Sequence, residues 1–207
     1  MTFQEINKAL GNADLFLIDQ LLKGRFAARP RVLDAGCGEG RNLVYFLKQH
    51  YDVYGIDANA DAIAMARFVA PTLQPGYDKA QLAVGTIEEY HARHDWFHAV
   101  LCLATLHFAK SHQHFNQMVN ALVQALQVGG LLLIGMESAL AQAEPLPPSP
   151  EGITTLPAAQ GGGQRYLLTQ QHIDTLLGSH PLKLVEPVRT VTEHNVRTLT
   201  YLVFEKE

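Results

Sequence analysis

The chain has 207 residues, a length that fits one α/β domain and leaves little for a second. Hydrophobic residues make up 47% and charged ones 17%, enough apolar material for a sizeable core, which excludes disorder as the default state. Lys and Arg number 16 against 20 Asp and Glu, and the resulting net charge of -4 argues against a nucleic-acid partner held by phosphate contacts. No apolar run reaches the length of a membrane span, and the opening MTFQEINKAL lacks the basic-then-apolar layout of a secretory signal. Cys37 and Cys102 stand far apart in apolar stretches without metal-ligand spacing, so they read as reduced thiols of a cytoplasmic protein.

In chain order, residues 13–23 place Leu15, Ile18 and Leu22 on one helical face, with Leu17 and Leu21 widening it. RVLDA (31–35) is a short apolar run before a glycine cluster and predicts a buried strand. A helix is expected from there to about residue 49, with Leu43, Phe46 and Leu47 inward. VYGID (53–57) is the next strand, and Asn59 is a good N-cap for a helix running to Pro71. AQLAV (80–84) and HAVLCLA (98–104) are further strands, and Phe115, Met118, Val119, Leu122 and Leu126 mark 112–127 as an amphipathic helix. Gly129 and Gly130 should stop that helix before the strand LLLIGM at 131–136. Strand and helix alternating in this way predict a doubly wound, mostly parallel sheet covered on both faces.

The alternation breaks at 141–164, which holds five of the ten prolines and the triplet Gly161-Gly162-Gly163. A loop of that length inside a compact domain is usually a lid, a binding loop or a linker. A short helix near 169–177, capped by Thr169 and ended by Gly178, precedes two β-rich runs at 182–192 and 196–205. Only Glu193, His194 and Asn195 separate the runs, which predicts an antiparallel hairpin at the sheet edge. Residues 1–207 therefore read as a single domain with one Pro/Gly-rich loop.

The stretch VLDAGCGEGRN (32–42) carries the chemistry. A strand ends near Asp34, and Gly36, Gly38 and Gly40 turn the chain tightly into a helix, allowing a ligand to approach the backbone. Asp57 stands at the tip of the next strand, where a carboxylate can accept hydrogen bonds from both hydroxyls of a ribose. A dinucleotide fingerprint starting at Gly36 would need glycine at 41, where this chain has Arg41. The acids Asp34 and Glu39 would repel a pyrophosphate but suit an ammonium group. A ligand with a ribose and a cationic amino-acid end fits, and S-adenosylmethionine has both.

With VLDAGCGEG as a first motif, GIDAN (55–59), GTIEEY (85–90) and GGLLLIGMES (129–138), the chain resembles the class I S-adenosylmethionine-dependent methyltransferases over about residues 30–138. CGEGRN followed by YDVYGIDAN is most similar to the tellurite-resistance-type small-molecule methyltransferases. The resemblance implies a seven-stranded Rossmann-like fold whose C-terminal antiparallel strands match the hairpin. It implies that Gly36 and Gly38, with Cys37 between them, line the methionine portion of the cofactor, and that Asp34 orients its amino group. Asp57 would bind the ribose, Ala58 would pack beside the adenine, and Leu103 would lie beneath the sulfonium. Thr86 and Ile87 would meet the adenine edge and face; the family usually has an acid where Thr86 stands, so a backbone or hydroxyl contact is expected. Arg41 would either reach the cofactor carboxylate or stand solvated in the first helical turn.

Methyl transfer from a sulfonium is an in-line displacement on an activated donor, so positioning can supply most of the catalysis and a base is optional. The (D/N)-P-P-(Y/F) signature of enzymes that methylate nucleic-acid and some protein amides is absent from strand four, which instead ends CLATLHF (102–108). His107, just beyond that strand, is the first candidate for a base or substrate contact, against a plain packing role. Arg165 and Tyr166 would enter the site if the 141–164 loop folded over it, and would otherwise lie on the surface. His91, His94 and His98, like His112 and His114, are close in sequence but lack a cysteine or paired carboxylate at ligand spacing, so no metal is expected. The reading is methyl transfer to a small molecule held under the loop. A non-catalytic binder of the same cofactor is the rival, and a nicotinamide oxidoreductase is disfavoured by Arg41 and the acidic turn.

Overall fold

The computed structural model describes residues 2–90, 94–141, 152–156, 162–193 and 197–207. Helices α1 (Phe3–Leu10) and α2 (Leu15–Leu22) precede β1 (Arg31–Ala35). They are followed by α3 (Val44–Lys48), β2 (Asp52–Asp57), α4 (Ala60–Leu73), β3 (Leu82–Val84), β4 (Phe97–Leu103), α5 (His112–Ala125) and β5 (Leu126–Glu137). Beyond these lie β6 (Ile153–Thr155), β7 (Gln164–Tyr166), α6 (Gln170–Ser179), β8 (Leu182–Leu184), β9 (Arg189–Glu193) and β10 (Arg197–Lys206).

The main sheet runs β3-β2-β1-β4-β5-β10-β8, with β9 pairing the first half of β10. Pairing is parallel from β3 to β5 and antiparallel from β10 outward, the expected doubly wound arrangement. From β1 the chain winds first to β2 and β3, then crosses to β4 on the other side. That reversal opens a crevice at the carboxyl ends of β1 and β4, where sheets of this kind bind ligands. One face of the sheet packs on α5 and α6 through residues such as Phe115, Val119, Leu122 and Ile173. The other packs on α2, α3 and α4 through Phe16, Leu17, Phe46 and Ile63.

Several local expectations shift. The buried face of α2 is Phe16, Leu17 and Gln20, whereas Leu15 and Leu22 are exposed, because Phe16 stacks on Tyr201 with ring centroids 4.5 Å apart and so sets the helix rotation. The turn after β1 enters a 3-10 segment (Arg41–Leu43) before the short α3. Helix α5 ends at Ala125, and the following glycines lie inside β5. Gly178 falls within α6, which Thr169 begins with a reciprocal cap to His172. The run 182–192 divides into β8 and β9, both antiparallel to β10, and residues 194–196 of the turn lie outside the described residues.

Within 141–164, residues 142–151 and 157–161 also lie outside the described residues. What is described there is strand rather than loop: Ile153–Thr155 pairs antiparallel with Gln164–Tyr166. The hairpin is fastened beside the end of β5, where the Leu168 amide donates to the Glu137 carbonyl at 3.0 Å and the Ala139 amide to the Leu168 carbonyl at 2.9 Å. Among the described residues no helix is long and apolar enough to cross a membrane.

Candidate active site

The glycine turn is anchored to its neighbour strand: the amides of Gly36 and Cys37 both donate to the Ile56 carbonyl, at 2.8 and 3.0 Å. Gly36 has φ +84°, and a Cβ there would run into the Thr105 side chain, so it is glycine because of the β4 loop as well as the turn. Gly38, at φ +53°, has open space where a Cβ would stand. Its amide donates to Asp57 Oδ2 at 2.8 Å, and the Asn59 amide donates to Asp57 Oδ1 at 2.8 Å. The backbone thus aims the Asp57 carboxylate, while Asn59 caps α4 by accepting from the Asp61 and Ala62 amides. Cys37 is buried against Gly55; burial pushes its thiol well above the ordinary range, so it is a packing residue.

Asp34, the penultimate residue of β1, is buried, and neither carboxylate oxygen has a hydrogen-bond partner. Burial pushes its pKa up to about 7; Arg41 opposes the shift, and the charges of Asp57 and Asp14 add to it. Arg41 is itself half-exposed, with Nη2 3.6 Å from Asp14 Oδ2 just before α2.

A cavity of about 390 Å³ opens at the switch point. Gly36, Asp57, Ala58, Thr86 and Ile87 line it, so the structure gathers these five expected residues around one space. Ala104, Thr105 and Phe108 form the wall from β4, and Glu88, His114 and Met118 close the far end. The Lys110 amide donates to His114 Nδ1 at 3.0 Å, which leaves Nε2 to donate to Glu88 Oε1 at 3.0 Å. Thr86 Oγ1 donates to Glu89 Oε2 at 2.9 Å, so its hydroxyl proton is already engaged. Sequence reasoning missed Glu88 and His114. The acid inside GTIEEY was the available signal, whereas the approach of α5 to that loop left none.

Residues 32–130 match the family model of the methyltransferase domain. Over that stretch, just under half of the chain, it is similar to methyltransferases. PH0226 protein from Pyrococcus horikoshii OT3 has the same fold, with TM-score 0.71 and 15% identity, covering 99% of this chain and 98% of that one. A SAM-dependent methyltransferase from Methanosarcina mazei gives 0.69 and 17%, covering 90% and 96%. TehB from Haemophilus influenzae gives 0.63 and 16%, covering 91% of this chain and 62% of that one. No curated protein sequence matches the chain.

The remaining expected site residues lie apart from the cavity lining. Leu103 is buried against Gly135, and the next two residues, Ala104 and Thr105, take the position at the cavity wall. His107 is only 3% exposed and lies behind Phe108, with ring centroids 4.5 Å apart. Burial, helped by Arg165 and Arg197, pulls its pKa down to about 4, so the ring is neutral and weakly basic. Tyr166 is a core residue at 1% exposure, stacked on Phe115, because its hydroxyl is taken up by His112 Nδ1 at 2.7 Å and His172 Nε2 at 2.8 Å. Arg165 reaches the rim instead: its guanidinium lies 5.0 Å over the Phe108 ring, and its Nε is 3.6 Å from Glu137 Oε2. Of the histidines weighed as ligands, His114 is spent on Glu88, His112 on Tyr166 and His98 on Arg31, while His91 lies outside the described residues.

Proposed function

We propose that this chain is an S-adenosylmethionine-dependent methyltransferase that transfers the methyl group to a small-molecule acceptor by in-line displacement. The observation that carries the reading is Asp34, a carboxylate buried without a partner two residues before the first glycine of the turn. Leaving such a group unpaired is costly, and an ammonium group is the partner that offsets the cost. Asp34 would therefore take the amino end of the cofactor, and Asp57, already aimed by two amides, would take the ribose hydroxyls through its remaining lone pairs. Ala58, Thr86 and Ile87 would flank the adenine, and Glu88, held by His114, would face its edge.

When bound, S-adenosylmethionine supplies a methyl carbon on a sulfonium, which an acceptor lone pair attacks as the carbon–sulfur electron pair returns to sulfur. The chain's own contribution is placement: Thr105 and Phe108 shape the wall where an acceptor would meet the cofactor, and Arg165 of β7 lies over Phe108. No general base is assigned, because His107 and Tyr166 are both withdrawn into the core. That withdrawal is what keeps a non-catalytic binder as the second reading. The net charge of -4 favours a small molecule over nucleic acid, and two buried, unpaired thiols suit a cytoplasmic protein, which we read as one domain.

The test is a melting comparison with S-adenosylhomocysteine and NAD, followed by turnover with candidate acceptors. S-adenosylhomocysteine at about 100 times its dissociation constant should add about 2.7 kcal/mol, and NAD nothing. Asp57→Ala should fold yet lose about 1.5–3 kcal/mol of that affinity. Unchanged calorimetric affinity in this variant sinks the ribose assignment, and cofactor binding without turnover on any acceptor favours the binder.

A further inference from the structure

At the carboxyl end of β5, Glu137 is buried and draws in two arginines from separate segments. Arg197, the first residue of β10, places Nη2 3.2 Å from Glu137 Oε1. Arg165, in β7, places Nε 3.6 Å from Oε2, too far for a good hydrogen bond, and both the Arg165 Nε and the Glu137 Oε2 are buried without a hydrogen-bond partner. One buried carboxylate balances one guanidinium, so Glu137 leaves one of the two arginines unmatched; Glu193, opposite Arg197 in the β9–β10 ladder, is exposed, where water screens its charge. His107, neutral beside them, adds none.

The surplus sits where an acceptor would arrive. Arg165 covers Phe108, which lines the cofactor cavity, and only 20% of its side chain is exposed; Arg197 is 39% exposed. A half-buried cation without a full counter-charge is costly, and a guanidinium is well shaped to grip a carboxylate with two parallel hydrogen bonds. Glu137 serves as the brace that holds Arg197 beside Arg165 at the edge of the Phe108 wall, with its charge too small to quench both.

We propose that the acceptor is a small organic acid whose anionic group is held by Arg165 and Arg197. The proposal rests on the small-molecule reading above and names the class of molecule. It is tested by melting the S-adenosylhomocysteine-saturated protein against benzoate and phenylphosphonate, with benzamide as the neutral control at matched ionic strength. The expected result is a saturable rise in Tm with at least one acid and none with benzamide. Arg165→Gln and Arg197→Gln should each weaken the acid response at least tenfold while keeping the S-adenosylhomocysteine shift, which shows that they fold. The proposal is overturned if neither acid exceeds benzamide, or if the double arginine variant responds like the unaltered protein. If S-adenosylhomocysteine fails to stabilise the unaltered protein, the cofactor reading falls on its own. The acid series, repeated without it, still decides the charge site.

Discussion

Replacing Asp34 by Asn should make the cofactor-free protein more stable at pH 8 while weakening its hold on the cofactor. The carboxyl is buried with both oxygens unpartnered, and its pKa is raised from 3.8 to about 7, chiefly by burial. Above the unfolded value and below the folded one, the native state holds a proton that the unfolded state has released. Stability therefore falls as pH rises from 3.8 to about 7 and stays low beyond. A shift of that size corresponds to about 4 kcal/mol of ionisation cost at pH 8. Asparagine removes the charge but keeps polar atoms in a dry place, at a cost of about 1–3 kcal/mol, so the net gain should be about 1–3 kcal/mol. Urea melts without cofactor should show this gain at pH 8 and none at pH 4. Calorimetry of S-adenosylhomocysteine at pH 8 should show weaker binding in the variant. For the unaltered protein, affinity should fall as pH drops below about 7, because Asp34 must give up its proton to pair with an ammonium. A variant less stable than the unaltered protein at pH 8, or one binding equally well, would refute the reasoning.

The two turn glycines should separate. Gly36→Ala forces a left-handed alanine and a collision with Thr105, for a combined loss of about 2–5 kcal/mol in denaturant melts. Gly38→Ala meets only the backbone term of about 1–2 kcal/mol because its Cβ points into open space. His107 has a folded pKa depressed from 6.5 to about 4, so its contribution is intact above pH 6.5 and is lost as pH falls towards 4. The unaltered protein should lose about 3 kcal/mol more over that interval than His107→Gln. Asp34 slopes the opposite way over the same pH range, so an absolute melt mixes the two. Only the difference between the variant and its parent tests His107.

The alternation of apolar runs with a 3.6-residue period announced the sheet and its covering helices, because burial on two faces leaves a repeating pattern. The turn around Gly36, Gly38 and Asp57 was equally legible: tight backbone and a strand-tip carboxylate are local facts. What depends on distant segments was not. Leu15 and Leu22 looked like core because helical spacing alone cannot tell one apolar face from its neighbour, and the stacking of Phe16 on Tyr201 decided between them. His107 looked like a base because it follows β4, yet one residue of rotation put Phe108 at the cavity and the imidazole behind it. Tyr166 was read from its place after three glycines, while its hydroxyl partners, His112 and His172, come from two different helices. Glu137 directly follows the strand expected at 131–136 but was given no role there, and its importance appears only with Arg165 and Arg197 beside it.

Strand β10 comes later in the chain than every strand it touches, yet it lies inside the sheet, with seven residues paired to β5 and the others' edges on its far side. During synthesis, the parallel half from β3 to β5 can assemble while β10 is still unmade. Over that interval the edge of β5 carries the apolar run Leu131–Leu132–Leu133–Ile134 with nothing bonded to it. Such an edge invites pairing with another nascent chain. Production of the intact protein should therefore depend on how quickly the closing strand follows, and slow translation or truncation before Arg197 should send the product into aggregates rather than into a shortened, folded enzyme.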